Sequence, residues 1–246
     1  MAKQHFWNLV YSVIKQSDVI LEVLDARLID ETRNDEIEKI IEQQNKKLIH
    51  VVNKIDLIDV DTIKSKLKEL SNPVFISSKE RLGTTILKRK ILEIGRKEQI
   101  IVGVVGYPNT GKSSVINAIA GAKKARTSPT SGFTKGIQKI KASERIILLD
   151  TPGVIPIEDQ DLIRHCLIGS KNPQQLKDPD LVAIYLIKRL KGNVEKHYGV
   201  EPSADPEETL EAIAKKMNRF QKGGIPDVME MARTIIMDWQ RGKLHE

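Results

Sequence analysis

Two short stretches decide how this chain folds: "GYPNTGKSS", Gly106 to Ser114, and "VVNKIDL", Val51 to Leu57. The first fits G-x-x-x-x-G-K-[ST], follows an apolar run of strand length and opens a segment with helical spacing, the context such a phosphate loop requires. Backbone N–H groups of the loop and the helix N-terminus can cradle phosphates. Lys112 can reach the β and γ oxygens, and the Ser113 hydroxyl can ligate Mg²⁺. The second stretch ends an apolar run with "NKID", Asn53 to Asp56. A carboxylate accepts only, so Asp56 can take both Watson–Crick-edge donors of guanine, N1–H and N2–H₂; adenine offers no such pair. The expected ligand is therefore GTP rather than ATP, although the base-reading stretch lies upstream of the phosphate loop, the reverse of the conventional order.

Around these stretches, runs of strand length alternate with amphipathic segments. "VILEVLD" (Val19 to Asp25), "KLIHVVN" (Lys47 to Asn53), "NPVFIS" (Asn72 to Ser77) and "QIIVGVVG" (Gln99 to Gly106) read as buried strands. "NDEIEKIIEQQN", with Asn34 placed to cap, "DVDTIKSKLKEL" and "LGTTILKRKILEIGRK" read as helices between them. The alternation predicts an α/β fold, a doubly wound and mostly parallel sheet with helices on both faces. After the phosphate loop come a helix from Lys112 to about Ala120, a basic loop "GAKKARTSPTSGFTKG", and strands "IQKIKA" and "RIILLD".

From about Glu158 only helical periodicity remains, which predicts a GTP-binding domain over residues 1–157 and an all-helical domain over 158–246. In "DPEETLEAIAKKMNRFQKGG", Asp205 is placed to cap and Pro206 to open the helix. Leu210, Ile213, Ala214 and Met217 form an apolar stripe, and Gly223 is the expected stop.

"LLDTPG", Leu148 to Gly153, sets an acidic residue at a strand's carboxyl end, where Asp150 can hold Mg²⁺ through water and the Gly153 N–H can meet a γ-phosphate. Together "NKID", "ISSK" (Ile76 to Lys79), "GYPNTGKS", "SGFT" (Ser131 to Thr134) and "DTPG" resemble the five boxes of a translation-factor-type GTPase, rotated so that the base-reading boxes come first. That order resembles the circularly permuted GTPases of the YlqF/YawG family, which act in ribosome assembly; "SDVILEVLDAR" and "DWQRGK" extend the likeness over nearly the whole chain.

The resemblance implies that Asn53, Lys54 and Asp56 read guanine while Ser77, Ser78 and Lys79 line the base from the other side. It implies that Asn109, Thr110, Gly111, Lys112, Ser113 and Ser114 hold the phosphates, and that Thr134 is the switch threonine closing on Mg²⁺ beside Ser113 and Asp150. Asn109 matches the P-loop asparagine of potassium-activated GTPases, which implies a K⁺ beside the transferring phosphoryl group. Lys112, Thr134 and Gly153 are the expected catalytic contacts. Where many GTPases carry a water-orienting glutamine stands Val154, so slow turnover stimulated by a partner is expected. His5 stands near the place where some relatives carry an assisting histidine, but the "GHMAK"-like segment is absent and a capping or exposed role is the expectation. Val154 also leaves open an RNA-binding assembly scaffold that keeps GTP as a structural ligand.

The chain is 246 residues long, with 40% hydrophobic and 30% charged residues, enough to bury a core and unlike a disordered composition. The formal charge of +7 suits a polyanionic partner. Lys188, Arg189, Lys191, Lys215, Lys216, Arg219 and Lys222 in the helical part are the expected contacts to large-subunit rRNA. A single cysteine, Cys166, excludes an internal disulfide, and no apolar run nears the roughly 20 residues that span a bilayer. A cytoplasmic monomer is the expectation.

Overall fold

The structure, a computed structural model, describes residues 2–59, 61, 63, 68–121, 137–151, 153, 155 and 161–244, with side chains from Trp7 onward. Thr134 and the whole "SGFT" box, Val154, the side chain of His5, most of the basic loop and much of the helix expected at 59–70 lie outside the described residues. The chain divides into two compact units, Met1–Gln160 and Asp161–Glu246.

The first unit is built on six strands: β1 (Val19–Asp25), β2 (Lys47–Asn53), β3 (Val74–Phe75), β4 (Ile100–Val105), β5 (Gln138–Lys141) and β6 (Ile146–Asp150), in the order β3-β2-β1-β4-β6-β5. All pairings are parallel except β5 with β6. Every residue of β1 is buried, as a central parallel strand covered on both faces requires. Its alternation sends Val19, Leu21 and Val23 against α4 (Thr84–Gly95) and α5 (Lys112–Ala120), through Leu87, Ile91, Val115, Ile116 and Ile119. Ile20 points the other way, toward Trp7, Val10 and Ile14 of α1 (Ala2–Gln16) and Ile37 and Ile41 of α3 (Asp35–Gln43). The sheet is thus doubly wound, as the alternation predicts.

Some local expectations change. β3 keeps only Val74 and Phe75 of "NPVFIS": Asn72 takes a positive φ of 47° ahead of it, and Ser77 beyond it bridges Leu82 instead of the sheet. The N-terminal helix α1 was not expected, nor was the four-residue α2 (Ile29–Thr32). Asn34 does cap α3, accepting from the Ile37 amide at 3.1 Å.

The second unit holds α6 (Leu162–Leu167), α7 (Pro179–Leu190), α8 (Asn193–Tyr198), α9 (Pro206–Lys216) and α10 (Val228–Gln240). Trp239 is fully buried and its indole N–H donates to the Leu167 carbonyl at 3.0 Å, fastening α10 to α6. Asp205 caps α9 and Pro206 opens it, as read from sequence. The helix ends earlier than Gly223: Asn218 turns left-handed at φ 52°, the Arg219 amide returns to Ala214, and the chain folds into a turn bridged by Phe220 and Pro226. Met217 is therefore the helix C-cap and 44% exposed, outside the apolar stripe. Cys166 is buried, and burial pushes its thiol up to about 11, which removes it from nucleophilic chemistry.

Because Asp205 Oδ1 accepts from the Glu207 amide at 2.9 Å on an exposed helix end, Asp205→Ala should cost about 1 kcal/mol. Asp205→Asn should retain most of that stability in the same urea titration followed by circular dichroism.

Candidate functional site

The register of the sheet brings the boxes together. Asp25 lies opposite Asn53 across β1 and β2, and Val104 lies opposite Asp150 across β4 and β6. All four stand at the carboxyl edge of a parallel sheet, where the connections of such folds form their ligand sites.

The phosphate loop leaves β4 at Gly106. Its φ is 134°, and an added Cβ would sit 2.7 Å from the Val23 carbonyl, so the position needs glycine for both backbone and space. Asn109 (φ 60°) and Gly111 (φ 98°) are left-handed, an alternation that turns successive amides inward. Asparagine tolerates that conformation well, which accounts for Asn109 on backbone grounds.

The "NKID" loop, expected to read the base, grips this loop. Asn53 is buried; its Nδ2 donates to the Thr110 carbonyl at 2.9 Å and its Oδ1 accepts from the Ser78 amide at 3.1 Å. Lys54, left-handed at φ 67°, donates from Nζ to the Asn109 carbonyl at 2.8 Å and to Asp25 Oδ2 at 2.7 Å. Two successive carbonyls of the phosphate loop thus face the base loop. In planar trans peptides the N–H opposes the C=O, so the Thr110 and Gly111 amides face the other way, toward an incoming anion. Asp56 follows in a short 3-10 turn, Ile55–Leu57, half-buried, and its carboxylate makes no hydrogen bond or ion pair with a described residue. Ser77 is buried and its Oγ accepts from the Glu80 amide at 3.1 Å; Lys79 is exposed.

Beneath the loop, Lys112 donates to the Tyr107 carbonyl at 2.7 Å and the Gly106 carbonyl at 3.1 Å. Burial pulls its ammonium down to about 8, with Asp150 opposing. Gly153 sits against this lysine: an added Cβ would lie 2.8 Å from Lys112 Nζ and 2.7 Å from Pro108. Ser113 Oγ donates to Asp150 Oδ2 at 3.2 Å, while Asp150 Oδ1 is buried with no hydrogen-bond partner of good geometry among the described residues. Burial raises the Asp150 carboxyl, against the pull of Lys112, Ser113 and the Thr151 amide. A buried, unmatched carboxylate oxygen beside a hydroxyl is a hard-oxygen donor set, and it fits Mg²⁺. Thr110 turns its hydroxyl to the Tyr107 carbonyl at 3.1 Å, so side chain and carbonyl alike are spent inside the protein. Ser114 is half-buried on the first turn of α5.

Two residues near this edge were given no role by the sequence reading. Asp25, with Arg27, holds Lys54; only the match of "DAR" to the family pattern pointed there. Trp7 of α1 donates its indole N–H to the Ile155 carbonyl at 3.2 Å, two residues beyond Gly153. On the sheet face covered by α3 lies a further polar group: Glu22, His50 and Glu38. Burial favours the neutral imidazole while the carboxylates pull the His50 pKa upward, but an imidazolium has no lone pair for the Ser71 amide, which donates to Nδ1 at 2.8 Å. That contact makes Nε2 the protonated nitrogen of a neutral ring, which cannot ligate a cation there. Arg33 also occupies both oxygens of Glu38, at 2.9 and 2.8 Å, so the group is structural.

Residues 101–223 match the family model described as 50S ribosome-binding GTPase. The chain belongs to that family. It is 41% identical, over 97% of its length and 65% of the relative's, to an uncharacterized GTP-binding protein, MJ1464, of Methanocaldococcus jannaschii. It is 34% identical to nucleolar GTP-binding protein 2 of Saccharomyces cerevisiae over 98% of the chain and 52% of that protein. The chain therefore spans about half to two thirds of the length of the curated relatives it matches. Its fold is that of YlqF, the circularly permuted GTPase: the GNP-bound crystal structure from T. maritima superposes with a TM-score of 0.68 at 24% identity, covering 96% of this chain and 94% of that one. A GDP-bound YlqF structure gives 0.67 at 25% identity over 95% of this chain and 94% of its own. Among the described residues, no helix is long and apolar enough to cross a membrane.

Removing the Asn53 carboxamide strands the Thr110 carbonyl and the Ser78 amide. Asn53→Ala should therefore lower stability by about 1–3 kcal/mol, and the Ser78 amide should exchange with solvent markedly faster in a hydrogen-exchange NMR comparison.

Proposed function

We propose that this chain binds GTP with Mg²⁺, hydrolyses it to GDP and phosphate by in-line attack of water, and uses the two nucleotide states to time a step of large ribosomal subunit assembly. The observation that carries the reading is the pairing of a buried Asp150 oxygen, unmatched among the described residues, and the Ser113 hydroxyl with a left-handed phosphate loop whose amides face away from the base loop. Membership of the 50S ribosome-binding GTPase family supports it, as do the GNP- and GDP-bound states in which YlqF has been crystallised.

In this reading Asp56 takes the two edge donors of guanine, while the Ser77, Ser78 and Lys79 segment borders the base. The Thr110 to Ser114 amides bind the β-phosphate, and Lys112 exchanges its two loop carbonyls for β and γ oxygens. Gly153, lying against Lys112, brings its amide to the γ-phosphate. Mg²⁺, held by Ser113 and, through water, by Asp150, would offset the charge that develops on the transferring phosphoryl group. Thr134 would join the ion in the triphosphate state, and K⁺ beside Asn109 would add further positive charge. With Val154 in the glutamine position, the attacking water is oriented by a group from outside this loop, so turnover is slow until ribosomal particles and K⁺ are present. The basic side chains of the helical unit are assigned to rRNA, and the protein acts as a cytoplasmic monomer.

GTP turnover should rise with large-subunit particles and with K⁺ in place of Na⁺, and fall about 100-fold or more in Lys112→Ala. Multiple-turnover phosphate release measures both, and a rate unchanged by particles, K⁺ and the substitution would leave nucleotide as a structural ligand only. Asp56→Asn should weaken GTP binding on the order of 100-fold and improve binding of xanthosine triphosphate, whose base carries a carbonyl where guanine has N2–H₂. Competition titrations with a fluorescent nucleotide read this exchange directly; undiminished GTP binding in the variant would remove Asp56 from base recognition.

A further inference from the structure

Asp25 closes β1 and is buried, with its side chain only 3% exposed. Both carboxylate oxygens are saturated. Oδ1 accepts from the Arg27 amide at 3.1 Å and from Arg27 Nε at 3.0 Å; Oδ2 accepts from Arg27 Nη2 at 2.8 Å and from Lys54 Nζ at 2.7 Å. Four donors use the roughly four lone-pair sites that a carboxylate offers. Arg27 is itself buried, and its fork binds both oxygens, which fixes the plane and direction of the carboxylate.

That fixed carboxylate presents Oδ2 to Lys54, and Lys54 uses a second donor on the Asn109 carbonyl. A lysine side chain is long and has many rotamers, so a lone bond to one loop carbonyl would hold it loosely. With Asp25 behind it, the ammonium has a charged anchor on the sheet edge and a neutral acceptor on the phosphate loop. The sheet holds Asp25, Asp25 holds Lys54, and Lys54 turns the Asn109 carbonyl away from the anion side. We propose that Asp25, clamped by Arg27, is a positioning residue for nucleotide binding, which presets the phosphate loop through Lys54 rather than touching the nucleotide.

The proposal rests on the guanine-nucleotide reading above. It predicts loss of affinity for GTP and GDP alike, because the bridged carbonyl belongs to the loop common to both. It predicts no change in the preference for guanine over xanthine, which belongs to Asp56. A purely structural ion pair would lower stability without coupling to Lys54.

The test is a double-mutant cycle read by titration with fluorescent mant-GDP and Mg²⁺, alongside thermal melts of the nucleotide-free proteins. Lys54→Met leaves the Asp25–Arg27 pair whole. Asp25→Asn with Arg27→Met removes the pair together, so that no buried arginine is left without its counter-ion. Each should weaken mant-GDP binding about 10-fold or more, and adding Lys54→Met to the pair variant should cost less than about 3-fold further. Asp25→Glu keeps a counter-ion for Arg27 and displaces the carboxylate, so it folds where the pair variant fails to; its smaller loss should likewise vanish in the Lys54→Met background. If Lys54→Met costs the same factor with and without Asp25, or if the Asp25 variants bind as the unsubstituted protein does, the positioning role is wrong while the nucleotide reading stands. If the unsubstituted protein does not bind mant-GDP, the nucleotide reading itself falls, and this proposal with it.

Discussion

Everything at the ligand edge depends on two hydrogen bonds that cross more than fifty residues of sequence: Asn53 Nδ2 to the Thr110 carbonyl and Lys54 Nζ to the Asn109 carbonyl. They decide which way two consecutive peptide groups of the phosphate loop point. Since a planar peptide sends its N–H opposite to its C=O, fixing the carbonyls fixes the amides that would meet phosphate. The glycine at position 111 belongs to the same arrangement: a Cβ there would clash with Asn53 Nδ2. Residue type, backbone conformation and cross-loop bond are therefore one constraint seen three times.

These bonds also explain how the reversed order of motifs is tolerated. Asn53 and the phosphate loop meet because β1 lies between β2 and β4 in a parallel sheet, and parallel strands bring their carboxyl ends to one edge whatever their order along the chain. Cutting the chain at another connection leaves the edge intact, provided the strand order is kept. The order β3-β2-β1-β4-β6-β5 keeps each box beside the neighbour it needs. Sequence order is thus a property of the connections, whereas the site is a property of the edge.

Much of this was legible in the sequence, for identifiable reasons. β1, β2 and β4 are runs of apolar residues because both faces of a central parallel strand are covered, and their ends were marked by Asp25, Asn53 and Gly106. Asn34 and Asp205 announced their helices because capping is a local interaction that leaves its mark within three residues. The end of α9 was misread because asparagine can turn left-handed nearly as glycine does, and only the fold shows that Asn218 has done so. The Asp25–Arg27–Lys54 network was invisible as chemistry, since nothing local links Asp25 to a lysine 29 residues away. α1 was missed for a similar reason: its apolar positions are interrupted by polar residues, and its packing partners, Ile20, Ile37, Ile41 and Val105, come from three other elements, β1, α3 and β4.

The tetrapeptide "NKID" divides its labour according to what each side chain already holds. Asn53 spends its carboxamide on two loops, and Lys54 spends its ammonium on a carboxylate and a carbonyl. Asp56 has no such partner among the described residues, although a half-buried carboxylate gains from any donor pair within reach. A group already satisfied inside the protein must give up a bond to take part in recognition, whereas an unmatched acceptor gives up only water. Discrimination should therefore concentrate in Asp56, while Asn53 and Lys54 set the loop geometry in which that discrimination acts. Substitutions at the first two positions would then weaken every nucleotide alike, and substitution at the last would change which base is preferred.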